Sequence, residues 1–246
     1  RVRSSAASDV YKRQALSSGN VDLKTHARVV AMNANRTGRV TSLDYLDPDG
    51  LLVRQPARTF ILSGYTFENV RLLLLATSSS HPNGLGNRHG QVGKYFMTKQ
   101  YQTIMGLFPG NRLNRFVGAG HQGTILDDFV GDNFDHTGLD FIRGATISCE
   151  EQIQPIGASR MPTPPGVPRW GAGYKRHLLT NWNSIADLRI QPETLPYDDT
   201  FLDLDPTVRD TSGMGLPVVR ITWDIHENEH RVMAFLEEKV RRILRE

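Results

Sequence analysis

Between Thr59 and Gly93 the chain reads TFILSGYTFENVRLLLLATSSSHPNGLGNRHGQVG. Phe60, Ile61 and Leu62 make a short apolar run without polar alternation, which predicts a strand at 59–62 buried on both faces. Ser63-Gly64 ends it. From about Thr66 the apolar residues Phe67, Val70 and Leu74 fall at i, i+3 and i+7, and Leu72, Leu73 and Leu75 widen the stripe. That spacing predicts a helix over 66–76, and a helix apolar on most sides is a buried one. A buried strand, a Gly turn and a buried helix make half of a βαβ unit. Two readings follow: a packed joint without a ligand, or a place where the glycine and the helix N-terminus let backbone approach a bound group.

Upstream, residues 15–62 read as β structure. Val21–Met32 is rich in β-branched and apolar residues, 33–38 is a turn cluster, and 40–46 alternates, with Val40, Ser42, Asp44 and Leu46 on one side. Asp47-Pro48-Asp49-Gly50 is a strong turn, after which Leu51–Arg54 resumes. Downstream, 95–108 is β-prone, 109–145 is rich in Gly, Asp and Asn, and 154–173 is a Pro/Gly loop. A short helix is expected over 174–183. Strands are expected over 184–192, 201–204 and 216–224. Over 226–246 a charged helix is expected, with Val232, Phe235, Leu236, Val240 and Leu244 as its apolar side.

Composition adds little until the ends are considered. At 39% hydrophobic and 22% charged, the chain falls in the ordinary globular range. No apolar run approaches the ~18 residues of a membrane span. The one cysteine, Cys149, excludes an internal disulfide framework and a cysteine-based zinc site. Residues 1–14, RVRSSAASDVYKRQ, have no periodic apolar face and resemble translated sequencing-adapter read-through. They carry four cations against Asp9, which accounts for the whole net charge of +3. The basic balance is then no argument for nucleic acid. Glu246 falls within the last helical pattern without a stop signal, so the expectation is a segment cut at both ends.

Several patterns invite chemistry. Gly118-Ala119-Gly120-His121-Gln122-Gly123 matches G-x-G-x-x-G, but no helical length follows it, as a dinucleotide fingerprint requires. Ser78–His81 reads as a loop ending the helix, since neighbouring residues do not give a serine–histidine catalytic geometry. Asp127–His136 (DDFVGDNFDH) is the most polar cluster; it lacks calcium-loop spacing, and Phe129 and Phe134 mark it as packed. No metal site is expected. His26, in a strand, and His226, before a helix, read as structural histidines. Trp170, Trp182 and Trp223 read as core or packing residues.

Taken together, GNVDLKTHARVVAM, FILSGYTFENVRLLLLATSS, PNGLGNRHGQVGKYFM, FVGAGHQGTILDDFVGDNFDHTGLDFIRG and LPYDDTFLDLDPTVRDTSGMGLPVVRITWDIHENE resemble, in order, segments of the glucose–methanol–choline oxidoreductases. Within that flavoenzyme family they are most similar to the flavoprotein subunits of membrane-associated gluconate and related polyol or sugar-acid dehydrogenases. The resemblance implies an α/β plus α+β fold: part of an FAD-binding Rossmann-like domain over 15–93, a substrate-binding domain on a mostly antiparallel sheet over 94–224, and the helix over 225–246.

It also implies FAD as cofactor and a sugar, polyol or sugar acid as substrate, oxidised at an alcohol group by hydride transfer to flavin. Partners would be a cytochrome c and a small subunit, in a membrane-associated periplasmic complex, with no nucleic acid. Residue by residue, Val29 would meet the adenine through its backbone. Ser63 and Gly64, with Asn69 on the first helical turn, would approach the flavin. Asn133 and His136 match a motif of the substrate side. Tyr65 stands where the family has a small residue. The phosphate-seating glycine loop would precede residue 15, and the catalytic pair, a histidine with a second histidine or an asparagine, would lie beyond Glu246. The chain alone is therefore expected to bind FAD weakly or not at all and to be inactive. The other reading of the Asp/Asn/aromatic cluster is a non-catalytic carbohydrate-binding or interaction protein.

Overall fold

A computed structural model describes residues 4–113, 123–149 and 163–246. The chain forms two compact units, residues 1–94 with 201–222 and residues 95–200 with 223–246. The G-x-G-x-x-G match falls almost wholly outside the described residues.

The first unit opens with helix α1 (Ser4–Ser17), whose residues 10–17 are exposed. An antiparallel three-stranded meander follows: β1 (Arg28–Ala34), β2 (Val40–Leu46) and β3 (Leu52–Pro56), in the order β1-β2-β3. Its turns are those the residues predict. Asn35 Oδ1 accepts from the backbone N–H groups of Thr37 and Arg39, and Asp47 Oδ1 from those of Asp49 and Leu51. The buried side of β2 carries Ser42 and Asp44. Arg54, opposite Asp44 in register, donates to both its oxygens at 2.7 and 2.9 Å, and that bond holds the Asp44 carboxyl below the usual range. The strand expected from Val21 begins only at Arg28. His26, expected in it, sits in a turn with a left-handed backbone (φ 54°).

Helix α2 (Tyr65–Leu75) lies one residue from its expected place. Two expectations around it are corrected. Residues 59–62 form no strand and Ile61 is 85% exposed, because among the described residues no neighbouring strand completes a ladder there. The helix is half-buried rather than buried, and its two buried residues are Leu72 and Arg71. The unit is completed by the antiparallel hairpin β8 (Phe201–Arg209) and β9 (Pro217–Thr222). That moves residues 201–222 out of the expected 94–224 block. Leu202 N donates to Gly93 O at 2.7 Å and the Lys94 ammonium sits 4.4 Å from the Phe201 ring centroid, pairings between distant segments that no local pattern announces.

The second unit is a four-stranded antiparallel sheet under a helix. Strands β4 (Gln102–Leu107), β5 (Thr124–Leu126), β6 (Ala145–Cys149) and β7 (Ile185–Pro192) lie in the order β4-β7-β6-β5. Helix α4 (Glu227–Ile243) covers one face. Val232, Leu236 and Val240 are fully buried against Ile104, Ala145, Ile147, Leu188 and Ile190, so the predicted apolar side faces the sheet. Helix α3 (Gly171–Asn181) precedes β7 and has no buried residue. Trp170, expected in packing, is exposed at its start. Every strand pairing among the described residues is antiparallel. The protein is a mixed α/β chain built on antiparallel sheets.

Candidate functional site

In the first unit the turn into α2 is built by its own side chains. Gly64 is the residue before the helix, with no capping side chain of its own. Asn69 substitutes from inside the helix: its Oδ1 accepts from Gly64 N at 2.9 Å, and its Nδ2 donates to Leu62 O at 3.4 Å. Gly64 has φ −83°, so glycine is not required by the backbone angle. A Cβ there would meet only Asn69 Oδ1 at 3.2 Å and Glu68 Cβ at 3.6 Å, so its outer side is open. The left-handed angle belongs to the next residue, Tyr65 (φ 76°), which is exposed and packs edge-on against Phe67. Ser63, Gly64 and Tyr65 thus present an exposed backbone turn whose shape Asn69 fixes. A flat ring system could lie against such a turn, so these residues fit the group expected there. Val29 lies on β1, an edge of the meander, where alternate backbone groups point away from the neighbouring strand.

Arg71 and Asp210 tie these elements together. Arg71 is buried. It donates through Nε to Pro217 O at 2.7 Å and through Nη2 to Asp210 Oδ2 at 2.5 Å. Arg28, next to Val29, donates to the same Asp210 oxygen at 3.1 Å, while Ser212 Oγ donates to the other oxygen at 2.7 Å. The Arg71 bond first, then Ser212, holds the Asp210 carboxyl far below the usual range. Neither Arg71 nor Asp210 stood out in the sequence. The one signal was an arginine inside an apolar helical stripe, which needs a buried partner.

In the second unit, Asn133 and His136 close the loop between β5 and β6. Asn133 is exposed and donates to Asp127 O at 2.8 Å. The half-buried His136 ring faces Phe134 O at 3.1 Å and Arg143 O at 2.8 Å and lies 4.0 Å from the Phe134 ring. Asp135 caps Thr137 N at 2.8 Å. Glu193 gathers the loop from below, accepting from Gly131 N at 2.8 Å and Gly144 N at 3.0 Å. The structure therefore brings Asn133 and His136 into one loop, where the Asn133 amide nitrogen and both His136 ring nitrogens face loop carbonyls. Among the described residues no three His, Cys, Asp or Glu side chains are grouped to hold a metal ion.

His226 stands before α4, as expected of a structural histidine. Its Nε2 lies 2.9 Å from Asp199 Oδ1 and its ring stacks on Tyr197 at 3.6 Å. Tyr197 O–H donates to the fully buried Glu229 carboxylate at 3.0 Å, which also accepts from Leu195 N. Burial first, then that carboxylate, pushes the Tyr197 phenol up to about 12. The sign follows. The unfolded chain ionises from about pH 10, so this contribution is whole below pH 10 and is lost as pH rises towards 12. Tyr197→Phe should cost about 1–2 kcal/mol in urea unfolding. In an alkaline absorbance titration it should also remove a late-titrating tyrosine; an unchanged titration would contradict this geometry.

The sheet's second face is the other site that pattern reading passed over. Core packing puts Leu188, Ile190 and Ile147 towards α4, so the alternate residues Thr103, Asp187, Arg189, Gln191, Thr146 and Ser148 share the opposite face. In register, Thr103, Arg189 and Ser148 form one row, and Arg189 Nε donates to Asp187 at 3.2 Å. The signal was present in β7, where I-D-R-Q alternates with A-L-I-P. Asp187 is fully buried on this face; Thr103 is exposed and Thr146, Ser148 and Gln191 are half-buried, so the face carries hydroxyl and amide groups, which complement a hydroxylated solute.

The chain is similar over 90% of its length to the gluconate 2-dehydrogenase flavoprotein of Pantoea cypripedii. The two are 35% identical over 227 residues, which are 36% of that protein. The 2-methyl-1,2-propanediol dehydrogenase of Mycolicibacterium austroafricanum is 26% identical over 211 residues, 85% of this chain and 37% of that one. The fructose dehydrogenase large subunit of Gluconobacter japonicus is 35% identical over 72 residues, 29% of this chain and 13% of its own length. The chain thus spans just over a third of the length of the first two. No family model matches it.

Proposed function

We propose that this chain is a segment of an FAD-dependent dehydrogenase of the glucose–methanol–choline type that oxidises an alcohol group of a sugar, polyol or sugar acid. The observation that carries the reading is the 35% identity along 90% of the chain to a gluconate 2-dehydrogenase flavoprotein. The geometry supports it at two places. The exposed turn at Ser63–Tyr65, shaped by Asn69, is open to a flat ring, and the edge strand β1 brings Val29 for a backbone contact. The hydroxyl- and amide-bearing face of the β4–β7 sheet suits a polyol. Bound flavin would accept the hydride that leaves the substrate carbon. The residues of this chain would hold the ring at the α2 turn and orient the substrate hydroxyls, while the proton would pass to a histidine lying beyond Glu246. In the same reading the enzyme works with a small subunit and a cytochrome c in a membrane-associated periplasmic complex.

Two measurements test this. The 246-residue chain, purified alone, should hold flavin weakly and reduce no dye; stoichiometric yellow flavin on it would contradict the proposed division of the site. The whole flavoprotein should reduce an electron-accepting dye with at least one of gluconate, sorbitol, fructose or 2-ketogluconate. Failure with all four would overturn the substrate class.

A further inference from the structure

We infer that Asp210 is the positioning residue of the proposed flavin site. The inference rests on the functional reading above and adds a residue to it. Every residue assigned to the flavin in this chain stands on one of two elements. Val29 is on β1, while Ser63 and Gly64 lead directly into α2, which carries Asn69. These elements are separate in sequence, and no ladder joins a strand to a helix. A single carboxylate oxygen does join them: Asp210 Oδ2 accepts from Arg28, the neighbour of Val29, at 3.1 Å and from Arg71, two residues after Asn69, at 2.5 Å.

The joint is stiff for reasons visible in its surroundings. The Arg71 and Asp210 side chains are 6% and 8% exposed, so water does not compete for the bond. The second carboxylate oxygen is fixed by Ser212, and Asp210 N donates to Leu216 O, which closes the hairpin tip behind it. Arg71 is fixed in turn by Pro217 O and by Glu68, at 3.3 Å. The strand hairpin thereby holds β1 and α2 at one spacing, and the adenine-side and ring-side contacts of one cofactor depend on that spacing.

The test uses the whole flavin-loaded protein. Flavin retention is measured by fluorescence on dilution, and the flavin environment by visible circular dichroism. Asp210→Asn keeps the shape and the Ser212 contact but loses the charge; it should weaken flavin binding about tenfold and alter the flavin dichroism. Arg28→Gln removes only the half-exposed arm and leaves the buried pair intact, so it keeps the fold; it should weaken binding about threefold. Asp203→Asn breaks a neighbouring hairpin pair, Asp203–Arg220, that reaches neither β1 nor α2, and should change neither readout. If Asp210→Asn does not fold, Arg28→Gln decides. Wild-type protein that takes up no flavin overturns the functional reading and this inference with it. Wild-type protein that binds flavin no better than Asp210→Asn and Arg28→Gln overturns the inference alone. Equal weakening by Asp203→Asn overturns it as well.

Discussion

Replacing Gly144 by alanine should lower the unfolding free energy by about 3 kcal/mol. An alanine Cβ would lie 1.7 Å from Phe129 O, 2.9 Å from Phe129 C and 3.0 Å from Phe134 Cε1. These atoms cannot step aside cheaply. Phe129 O already accepts from Ala145 N at 2.8 Å, and Gly144 itself donates to Glu193. Phe129 and Phe134 both pack on Phe235 of α4. The methyl group therefore separates the β5–β6 loop from the sheet at the start of β6 and opens the core beside α4. Gly138→Ala is the control. Gly138 has a left-handed backbone (φ 76°) but empty space around it, so alanine costs only the conformational strain, about 1 kcal/mol. Urea unfolding of both variants separates the effects. If Gly144→Ala unfolds with the wild type, the loop does not pack as described.

Asp210→Ala should cost about 3 kcal/mol in the first unit, because it leaves the buried Arg71 guanidinium without its carboxylate. The same bond predicts an acid limb. The Asp210 carboxyl is held below its usual range chiefly by Arg71 and then by Ser212. Its contribution is therefore complete above the unfolded value, about 3.9, and is lost as pH falls below that. Melting temperature should drop below about pH 4 in the wild type and drop less in Asp210→Asn, which has no charge to lose. Parallel acid limbs in the two proteins would show that the pair contributes little.

What was legible in the sequence divides along physical lines. Local chemistry was readable. Asn35 and Asp47 cap their own turns, so β2 begins and ends where the turn residues place it, at Val40 and Leu46. The 3.6-residue stripe Val232, Leu236, Val240 marked the buried side of α4. Non-local chemistry was not readable. Residues 59–62 have strand composition, yet a strand exists only where a neighbour accepts its hydrogen bonds, and composition says nothing about the neighbour. Asp210 lies 139 residues from Arg71, and the hairpin that carries it read as part of the later block. The alternation of polar and apolar residues in β7 was readable, but its meaning needed the registers with β4 and β6. Among the proposed site residues, Asn69 shows its role in local geometry, through its bonds to Leu62 and Gly64. Asn133 and His136 show theirs as closures of a loop.

The most direct test of the central claim is anaerobic. On the proposed function, the full-length protein should purify yellow, with about one flavin per chain, and its visible flavin band should bleach when gluconate or a related polyol is added without oxygen or dye. A colourless protein, or a yellow one whose band no sugar, polyol or sugar acid bleaches, would contradict the account.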